Sequence, residues 1–319
     1  MNIAIIGVGG VGGYFGGKLT RLLAHDSQLN IYFIARNQHL AEIQRNGLIL
    51  DSDEGILVCK PTLATDDISE LPLLDLCLIC VKSYDLDEVL IRLVPKVSDS
   101  TMVLPLLNGV DIYERIRFRI HNGIVFPSCV YVATHIEKAG KVVQTGRGAN
   151  TILLGNDPEK KSVCPALFEL FDKARITYEW FENPYSEIWC KFIFIASLGL
   201  VTANYSKTVG EVLLSQGPRN DVENIMKEIV KIAKKKKKGL PPTIIPDSLE
   251  KAHNLCFETK TSFQRDFEIK ERPDERDLFG GTIVRLGKQY GISTEATRKI
   301  FDSLQKQKPL EKNKMKENL

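Results

Sequence analysis

The sequence predicts an α/β protein, with a doubly wound parallel sheet at the N-terminus and an all-helical domain after it. Three observations support this fold class. The chain opens with an apolar strand, a glycine-rich turn and a helix, and strands then alternate with helical segments over roughly the first 120 residues. From about Asn183 the hydrophobic spacing is almost continuously helical. A length of 319 residues fits two domains of about 150 residues each.

The opening strand, Met1 to Gly7, runs directly into a glycine-rich turn. Gly7, Gly9 and Gly12 follow the G-x-G-x-x-G spacing, in which the first glycine makes the turn, the second lets a pyrophosphate approach and the third lets helix pack on strand. The pyrophosphate would lie at the helix N-terminus, where free N–H groups favour an anion. A plain glycine turn is the alternative. We predict a Rossmann-type dinucleotide site comprising Gly7, Val8, Gly9, Gly10, Val11 and Gly12.

The second apolar strand, Leu29 to Ala35, ends at Arg36. An acidic residue at this position binds the free ribose 2′-hydroxyl of NAD, whereas a cation accommodates the 2′-phosphate of NADP. A guanidinium suits a phosphate by charge and by its paired donors. The sequence therefore predicts NADPH as the cofactor, with an ordinary strand-end charge as the alternative for Arg36.

Two further strands end in polar residues. Leu73 to Val81 is followed by Lys82, and Thr101 to Leu107 by Asn108, so both side chains should lie at the carboxyl edge of the sheet, where ligands gather. We expect the later strands to extend the same sheet, with a helix and one last strand closing the domain. These segments are residues 123–133, 141–144 and 150–154 as strands, 158–173 as the helix and 176–180 as the last strand.

The remainder of the chain divides into a helical domain and a tail. Proline- and glycine-rich breaks separate the helical segments 184–204, 218–238, 246–259 and 276–290. The predicted boundaries are 1–182 for the NADP-binding domain, 183–304 for a helical substrate and dimerisation domain, and 305–319 for a disordered lysine-rich tail. The helical domain is long enough to offer a dimer face, so a homodimer is one assembly that the sequence allows.

Composition argues against several other classes of protein. The net charge of +3 comes largely from lysine runs at 234–238 and 306–316, which lack interleaved aromatic residues and so do not indicate nucleic-acid binding. We find no apolar run of membrane-spanning length and no basic segment before the first strand, so neither membrane insertion nor secretion is expected. The scattered, odd-numbered cysteines predict reduced thiols in a cytoplasm and no metal; they are Cys59, Cys77, Cys80, Cys129, Cys164, Cys190 and Cys256.

Several motifs, in this order and spacing, resemble the ketopantoate reductase family over nearly the whole chain. They are GVGGVGGYFGGKL at the start, VKSYD at 81–85, LLNGV at 106–110, SEIWCKF at 186–192, SFQRDFE at 262–268, DERD at 274–277 and VRLGKQYGI at 284–292. The resemblance implies NADPH-dependent reduction of a 2-oxo acid, 2-dehydropantoate or a relative, to the 2-hydroxy acid in pantothenate biosynthesis.

The resemblance also implies roles for individual residues. Lys191 matches the catalytic lysine, which donates a proton to the substrate carbonyl oxygen; a surface pair with Glu187 is the alternative. Asn108 matches an asparagine between cofactor and substrate, and Ser262 a serine that holds the substrate carboxylate. The remaining matches are cofactor-binding: Lys82 near the nicotinamide, Ala133, and Glu275 at the ribose, with a solvated lysine and a helix-surface charge as the alternatives for Lys82 and Glu275.

The sequence departs from the family at the substrate. Asparagines commonly lie four and eight residues after the lysine, where this chain has Ile195 and Gly199, and a third expected asparagine corresponds to Val209. We therefore hypothesise a less polar or bulkier 2-oxo acid, with Gly199 making room and Ile195 forming an apolar wall of the substrate site. The competing hypothesis is an NADPH-binding sensor with little turnover, which the lost polar side chains favour and the retained Lys191 opposes.

Overall fold

A computed structural model describes residues 1–146, 150–160, 164–270 and 272–309. It divides into two compact units, Met1–Pro184 and Tyr185–Leu319. The strands are β1 Asn2–Ile6, β2 Asn30–Ile34, β3 Leu48–Ser52, β4 Gly55–Cys59, β5 Leu63–Thr65, β6 Leu74–Ile79, β7 Val97–Pro105, β8 Ile124–Val125, β9 Ser128–Tyr131, β10 Thr134–Lys138, β11 Lys141–Gln144, β12 Thr151–Gly155 and β13 Thr177–Phe181.

Both units contain helices. The first unit has α1 Gly10–Thr20, α2 Asn37–Asn46, α3 Leu86–Leu93, α4 Ile112–Arg119 and α5 Pro165–Lys173. The second has α6 Tyr185–Tyr205, α7 Val209–Leu214, α8 Gln216–Lys235, α9 Ile244–His253, α10 Ser262–Glu268, α11 Thr282–Tyr290 and α12 Glu295–Gln307, with a π-helical turn at Asp277–Gly281 before α11. The predicted order of a mixed unit followed by a helical unit is confirmed.

The central sheet of the first unit has six parallel strands in the order β5-β2-β1-β6-β7-β8. The chain leaves β1 towards β2 on one side and later returns on the other side through β6. The strand order therefore reverses next to β1, which is where open α/β sheets bind ligands. The predicted doubly wound sheet is confirmed, and its switch point lies at the glycine turn.

The later strands do not extend this sheet as expected. Only β8 joins it, whereas β10 and β11 combine with the unpredicted β3–β4 hairpin into a second sheet, and β9, β12 and β13 form a third. β8 is two residues long, and Pro127, which has no N–H to offer a ladder, comes two residues after it. Hydrophobic alternation identified these segments as strands but carried no information about their partners.

Helix α1 packs between the central sheet and the second sheet, which requires small residues on both of its faces. A Cβ atom added at Gly16 would lie 2.9 Å from Cε1 of Phe33 on β2, and one added at Gly13 would lie 2.7 Å from Cγ2 of Val142 on β11. The glycines beyond the turn therefore permit close helix–sheet packing, and they fix α1 relative to the strand ends.

Helix α6 is the core of the second unit and packs against α8, α10 and α12. It is long and apolar enough to cross a membrane, so the expectation that no stretch reaches that length was wrong. However, 67% of its most apolar window is buried inside the protein, as in the central helix of a helical domain. Trp189, Phe192 and Ile193 are among its buried residues.

The start of the predicted tail belongs to the fold. α12 continues to Gln307, and the Nζ of Lys308 donates to the carbonyl oxygen of Ile269 at 2.7 Å and to that of Phe267 at 3.3 Å. The same ammonium lies 3.3 Å from the Asp274 carboxylate. Lys308 thus caps the C-terminal end of α10, a role that a count of lysines cannot reveal. Residues 310–319 lie outside the described residues.

Candidate active site

The glycine turn has the geometry that its spacing predicts. Gly7 adopts a φ of +94°, and the N–H groups of Gly7 and Val8 both donate to the carbonyl oxygen of Ile34. A Cβ atom at Gly12 would lie 2.2 Å from the carbonyl oxygen of Gly7, so only glycine lets α1 pack this close to β1. A Cβ at Gly9 would meet nothing within 4 Å, which leaves open space in front of the turn.

The N-terminus of α1 suits an anionic ligand. Among the described residues, neither a side-chain cap nor an acidic residue occupies its first turn, so no described side chain neutralises its first N–H groups or its positive dipole end. Together with the open space at Gly9, these features fit the pyrophosphate of a dinucleotide. Val11 and Gly12 lie in this same first turn.

Ala133 lies beside the same turn. It is exposed, its carbonyl oxygen accepts the N–H of Thr145, and it directly precedes β10. The next residue, Thr134, contacts the start of α1, because its carbonyl oxygen would be 2.9 Å from a Cβ at Gly10. The buried Thr134 hydroxyl has no hydrogen-bond partner within the described part of the chain. The fold therefore brings residue 133 to the glycine turn across more than a hundred residues of sequence.

Arg36 follows β2 as predicted, and its guanidinium has a partner that the sequence analysis did not name. Nη2 of Arg36 lies 2.5 Å from Oδ2 of Asp85, the last residue of the VKSYD motif. This hydrogen bond raises the pKa of Arg36. The Arg36 side chain is 65% exposed and remains accessible, so the pair leaves donors for a ligand.

Lys82 and Asn108 lie at the same edge of the central sheet. Lys82 follows β6 and is half-buried, and the preceding residue, Val81, would contact a Cβ at Gly7. Asn108 comes shortly after β7 and precedes Gly109, which has a φ of +131°. Because the strands are parallel, the residues that follow β1, β2, β6 and β7 occupy one edge. Predictions made from separate motifs thus converge on one region of the first unit.

Lys191 lies in the buried part of α6. Its side chain is 8% exposed, between the buried neighbours Trp189 and Phe192. Lys191 therefore does not lie on an exposed helix surface, as the alternative assumed. A buried ammonium on an apolar helix is costly without a specific role or partner.

The helix face that carries Lys191 is partly covered by α10. Lys191, Ile195, Gly199 and Thr202 follow one another at helical spacing on α6. Thr202 Oγ1 lies 3.0 Å from Oγ1 of Thr261, the N-cap of α10, and a Cβ at Gly199 would be 3.4 Å from Cβ of Phe263. On this side Gly199 therefore contacts Phe263 instead of opening a void, so Phe263 and Ile195 are the apolar groups of the face.

Ser262 begins α10, directly between the two residues that contact α6. It is exposed, and the Thr261 side chain accepts the N–H of Gln264 to cap the helix. Thr261 and Phe263, the neighbours of Ser262 in the chain, both contact α6, so the start of α10 lies against this helix. Lys191, Ile195, Gly199 and Ser262 all belong to the second unit.

Glu275 is 6% exposed, so the alternative of a helix-surface charge is wrong. It lies between Asp274 and Arg276, which form a buried, two-bond ion pair with distances of 2.7 and 2.6 Å. Burial alone would raise the pKa of Asp274, but the hydrogen bonds and charge of Arg276 outweigh it and lower that pKa. The segment carrying Glu275 is therefore fixed on both sides.

An aromatic cluster supports the α6–α10 face, and the sequence analysis did not identify it. Ring centroids are 6.4 Å apart for Trp189 and Phe192, 6.0 Å for Phe192 and Phe279, and 5.5 Å for Phe263 and Phe279. Phe263 lies inside the SFQRDFE motif, but only the fold shows that its ring meets Gly199. Such contacts limit the movement of Phe263.

Comparison with known proteins gives matches over both units. A family model described as ketopantoate reductase PanE/ApbA matches residues 3–157, and the model of its C-terminal domain matches residues 183–308. Among curated proteins, an uncharacterised oxidoreductase, YkpB, of Bacillus subtilis is 22% identical over 96% of this chain and 98% of its own. A 2-dehydropantoate 2-reductase of Mesorhizobium japonicum is 28% identical, with 90% and 92% of the two chains covered.

Solved structures share the same architecture. A PanE/ApbA family ketopantoate reductase from Ralstonia eutropha has a TM-score of 0.85 at 27% identity, covering 96% of this chain and 97% of its own. D-mandelate dehydrogenase in complex with NADH and anilino(oxo)acetate has a TM-score of 0.80 at 22% identity, covering 96% and 98%. Two family models that together span most of the chain decide the assignment: the chain belongs to the ketopantoate reductase PanE/ApbA family of oxidoreductases.

Proposed function

We propose that this protein is an NADPH-dependent reductase that converts a 2-oxo acid to the 2-hydroxy acid, with Lys191 as the general acid. One observation carries the proposal. A buried lysine shares a face of α6 with Ile195 and Gly199, and α10 contacts that face through Thr261 and Phe263, the two neighbours of Ser262. A buried ammonium, with the Ser262 hydroxyl proposed as a second donor, suits a substrate that has both a carbonyl and a carboxylate group.

The first unit would bind the cofactor. The open turn at Gly9 and the first N–H groups of α1 would hold the pyrophosphate, and the accessible donors of Arg36 would hold a 2′-phosphate. Lys82, Asn108 and Ala133 would contact the rest of the dinucleotide from the strand ends. The proposed role of Glu275 is to bind a ribose of the cofactor. The reduced nicotinamide supplies the hydride that the reaction needs.

Lys191 would act on the carbonyl oxygen of the substrate. Its ammonium donates a hydrogen bond to that oxygen, which stabilises the negative charge that develops there, and then transfers a proton to give the hydroxyl group. Ser262 would hold the carboxylate, and Asn108 would orient the substrate. Burial of Lys191 makes the effect larger, because the attraction between charges increases as water is excluded.

The substrate would carry an apolar side chain. Ile195 stands where one asparagine is expected and Phe263 contacts Gly199, the position of a second, and neither side chain can hydrogen-bond a hydroxyl substituent. D-mandelate dehydrogenase is one example of this fold with an aryl-substituted oxo compound bound. We propose that an apolar or aromatic 2-oxo acid is preferred over 2-dehydropantoate, the intermediate of pantothenate biosynthesis.

We also propose a cytoplasmic location and a homodimer. All seven cysteines are free thiols in the structure, which suits a reducing cytoplasm. Homodimer formation through the helical unit is a further expectation, because that unit has exposed apolar residues on α7 and after α9, Leu214 and Phe257.

A second candidate function is an NADPH sensor with little turnover. Ile195 and Gly199 favour it, because a substrate hydroxyl or carboxylate loses two hydrogen-bond partners there. The burial of Lys191 opposes it, because binding of cofactor alone gives no reason to retain a buried ammonium.

The Lys191→Ala variant separates the two functions. For a reductase we expect turnover of the best 2-oxo acid to fall by a factor of about 100 or more, because general acid catalysis contributes that much, while NADPH affinity stays within about twofold. Lys231→Ala, at an exposed position of α8, is the control and should change neither quantity. Equal turnover by Lys191→Ala and the unmodified protein would contradict the proposal.

A further inference from the structure

The ion pair between Arg36 and Asp85 joins two strand ends that are far apart in sequence. Arg36 follows β2, and Asp85 begins the helix after β6, 49 residues later. The Nη2–Oδ2 distance is 2.5 Å, and the Asp85 side chain is 21% exposed compared with 65% for Arg36. Both charges therefore lie at the site proposed for the adenosine ribose, and the carboxylate is the more buried of the two.

The Asp85 carboxylate is directed away from its own helix. An aspartate at a helix N-cap usually accepts an N–H from the first turn, but Asp85 makes no such side-chain cap for α3. Its position is set by the backbone, because its N–H donates to the carbonyl oxygen of Lys82 at 3.0 Å. The side chain thus forgoes the local cap and reaches Arg36.

We infer that Asp85 is a specificity-determining residue for the cofactor, and that it lets the protein bind NADH as well as NADPH. This inference rests on the proposed cofactor role of the first unit. Asp85 supplies, from the end of β6, the acidic acceptor that other dinucleotide-binding sheets supply from the end of β2. The same site therefore holds a cation for a 2′-phosphate and a carboxylate for a free 2′-hydroxyl.

The two groups act in opposite directions on a 2′-phosphate. Arg36 attracts the phosphate. However, the Asp85 carboxylate already accepts a hydrogen bond from the guanidinium and places a negative charge next to it. An exposed ion pair is weak, so a phosphate can still bind to Arg36, against repulsion from the carboxylate. An unphosphorylated ribose meets no such repulsion and can donate its hydroxyl to Asp85.

Equilibrium binding tests this inference without any turnover. Dissociation constants for NADPH and NADH are measured by titration calorimetry for the unmodified protein, Asp85→Asn and Arg36→Gln. We expect Asp85→Asn to shift the ratio of the two constants about five- to tenfold in favour of NADPH. Arg36→Gln should raise the dissociation constant of NADPH by a similar factor and leave that of NADH nearly unchanged.

Asp87→Asn is the matched control. Asp87 lies in the first turn of the same helix and pairs with Arg119 at 2.7 Å, away from Arg36, so its neutral variant should leave the ratio unchanged. The inference is overturned if Asp85→Asn leaves the ratio of the two dissociation constants unchanged, as this control does, while it melts at the same temperature as the unmodified protein. It is also overturned if the unmodified protein binds NADPH but not NADH. Failure to bind either dinucleotide would instead overturn the proposed cofactor role on which the inference rests.

Discussion

The two parts of the candidate site differ in how far backbone groups and side chains contribute to them. The edge of the first unit that we propose for the cofactor combines the side chains of Arg36 and Asp85 with backbone features: the positive φ of Gly7, the first N–H groups of α1 and the open space at Gly9. The face of the second unit that we propose for the substrate is formed by side chains, above all Lys191, Ile195 and Phe263. The glycine turn binds through backbone groups, which depend on the glycines alone, whereas the α6 face binds through side chains, which single substitutions can change. This difference fits a chain that keeps the family's glycine pattern but has Ile195 and Gly199 where asparagines are expected.

The largest expected effect concerns the buried ion pair of Asp274 and Arg276, which holds the segment that carries Glu275 in the second unit. Arg276→Met leaves the buried Asp274 carboxylate without its two-bond partner and removes donors to the carbonyl oxygens of Leu304 and Lys308. We expect the free energy of unfolding to fall by about 3 to 5 kcal/mol. Urea unfolding, followed together with hydrogen exchange in α10 and α12, measures it.

Arg285→Met provides the matched control, because Arg285 pairs with Asp277 at an exposed position at 2.6 Å. Its loss should cost less than about 1 kcal/mol. Equal effects of the two substitutions would mean that the segment carrying Glu275 is not held by the buried pair.

A pair of glycine variants tests the backbone part. Gly12→Ala places a Cβ 2.2 Å from the carbonyl oxygen of Gly7, so α1 must move, and we expect a loss of about 1 to 3 kcal/mol in unfolding free energy. Gly9→Ala meets no atom within 4 Å and should leave the melting temperature unchanged while weakening dinucleotide binding. Calorimetric unfolding and titration measure both effects. Tight dinucleotide binding by Gly9→Ala would show that the open space is not the pyrophosphate site.

Restoring asparagines tests whether side chains alone set the substrate. In Ile195→Asn with Gly199→Asn, the added Cβ at 199 makes ordinary contact with Phe263, so the fold should accept it. Each new hydrogen bond contributes about 1 kcal/mol, so we expect kcat/KM for 2-dehydropantoate to rise about fivefold or more relative to apolar 2-oxo acids. An unchanged ratio would place the specificity elsewhere. Gly217→Asn, at an exposed position of α8 where a Cβ meets nothing within 4 Å, controls for the substitution itself.

The smallest effect concerns pH, and it should occur in both units. Burial alone would raise the pKa of Asp157 in the first unit, but the N–H groups of Val125 and Glu159 outweigh it and lower that pKa; Arg276 lowers that of Asp274 in the second. A depressed carboxylate pKa contributes stability that is complete above the unfolded value of about 3.9 and is lost as pH falls through the folded value. The half-buried His39, whose pKa is lowered by burial, adds a decline of its own below about pH 6.5, so the carboxylate effect is measured as a difference between variants. We expect the difference in unfolding free energy between the unmodified protein and Asp157→Asn to stay constant above about pH 5 and to shrink below about pH 4, measured by urea unfolding across pH. A difference that already shrinks near pH 6 would contradict this assignment.

The same contrast explains what could be predicted from sequence. Spacing predicted the glycine turn, the doubly wound sheet and the helical unit, because local periodicity and glycine chemistry determine these features. It did not predict the second and third sheets, since strand partners such as β3 and β11 are chosen by tertiary packing. Nor could it predict that Asp85 meets Arg36, that Phe263 covers Gly199 or that Lys308 caps α10, because each contact joins residues distant in the chain.

The most direct test of the account is NADPH oxidation, followed by absorbance at saturating cofactor, across 2-dehydropantoate and a panel of 2-oxo acids with apolar and aromatic side chains. The account predicts turnover that depends on Lys191 and that is faster with an apolar or aromatic 2-oxo acid than with 2-dehydropantoate. Faster turnover of 2-dehydropantoate would contradict the assignment of Ile195 and Phe263 to the substrate site. Turnover of none of these compounds, with NADPH still bound, would contradict the reductase itself and leave the sensor.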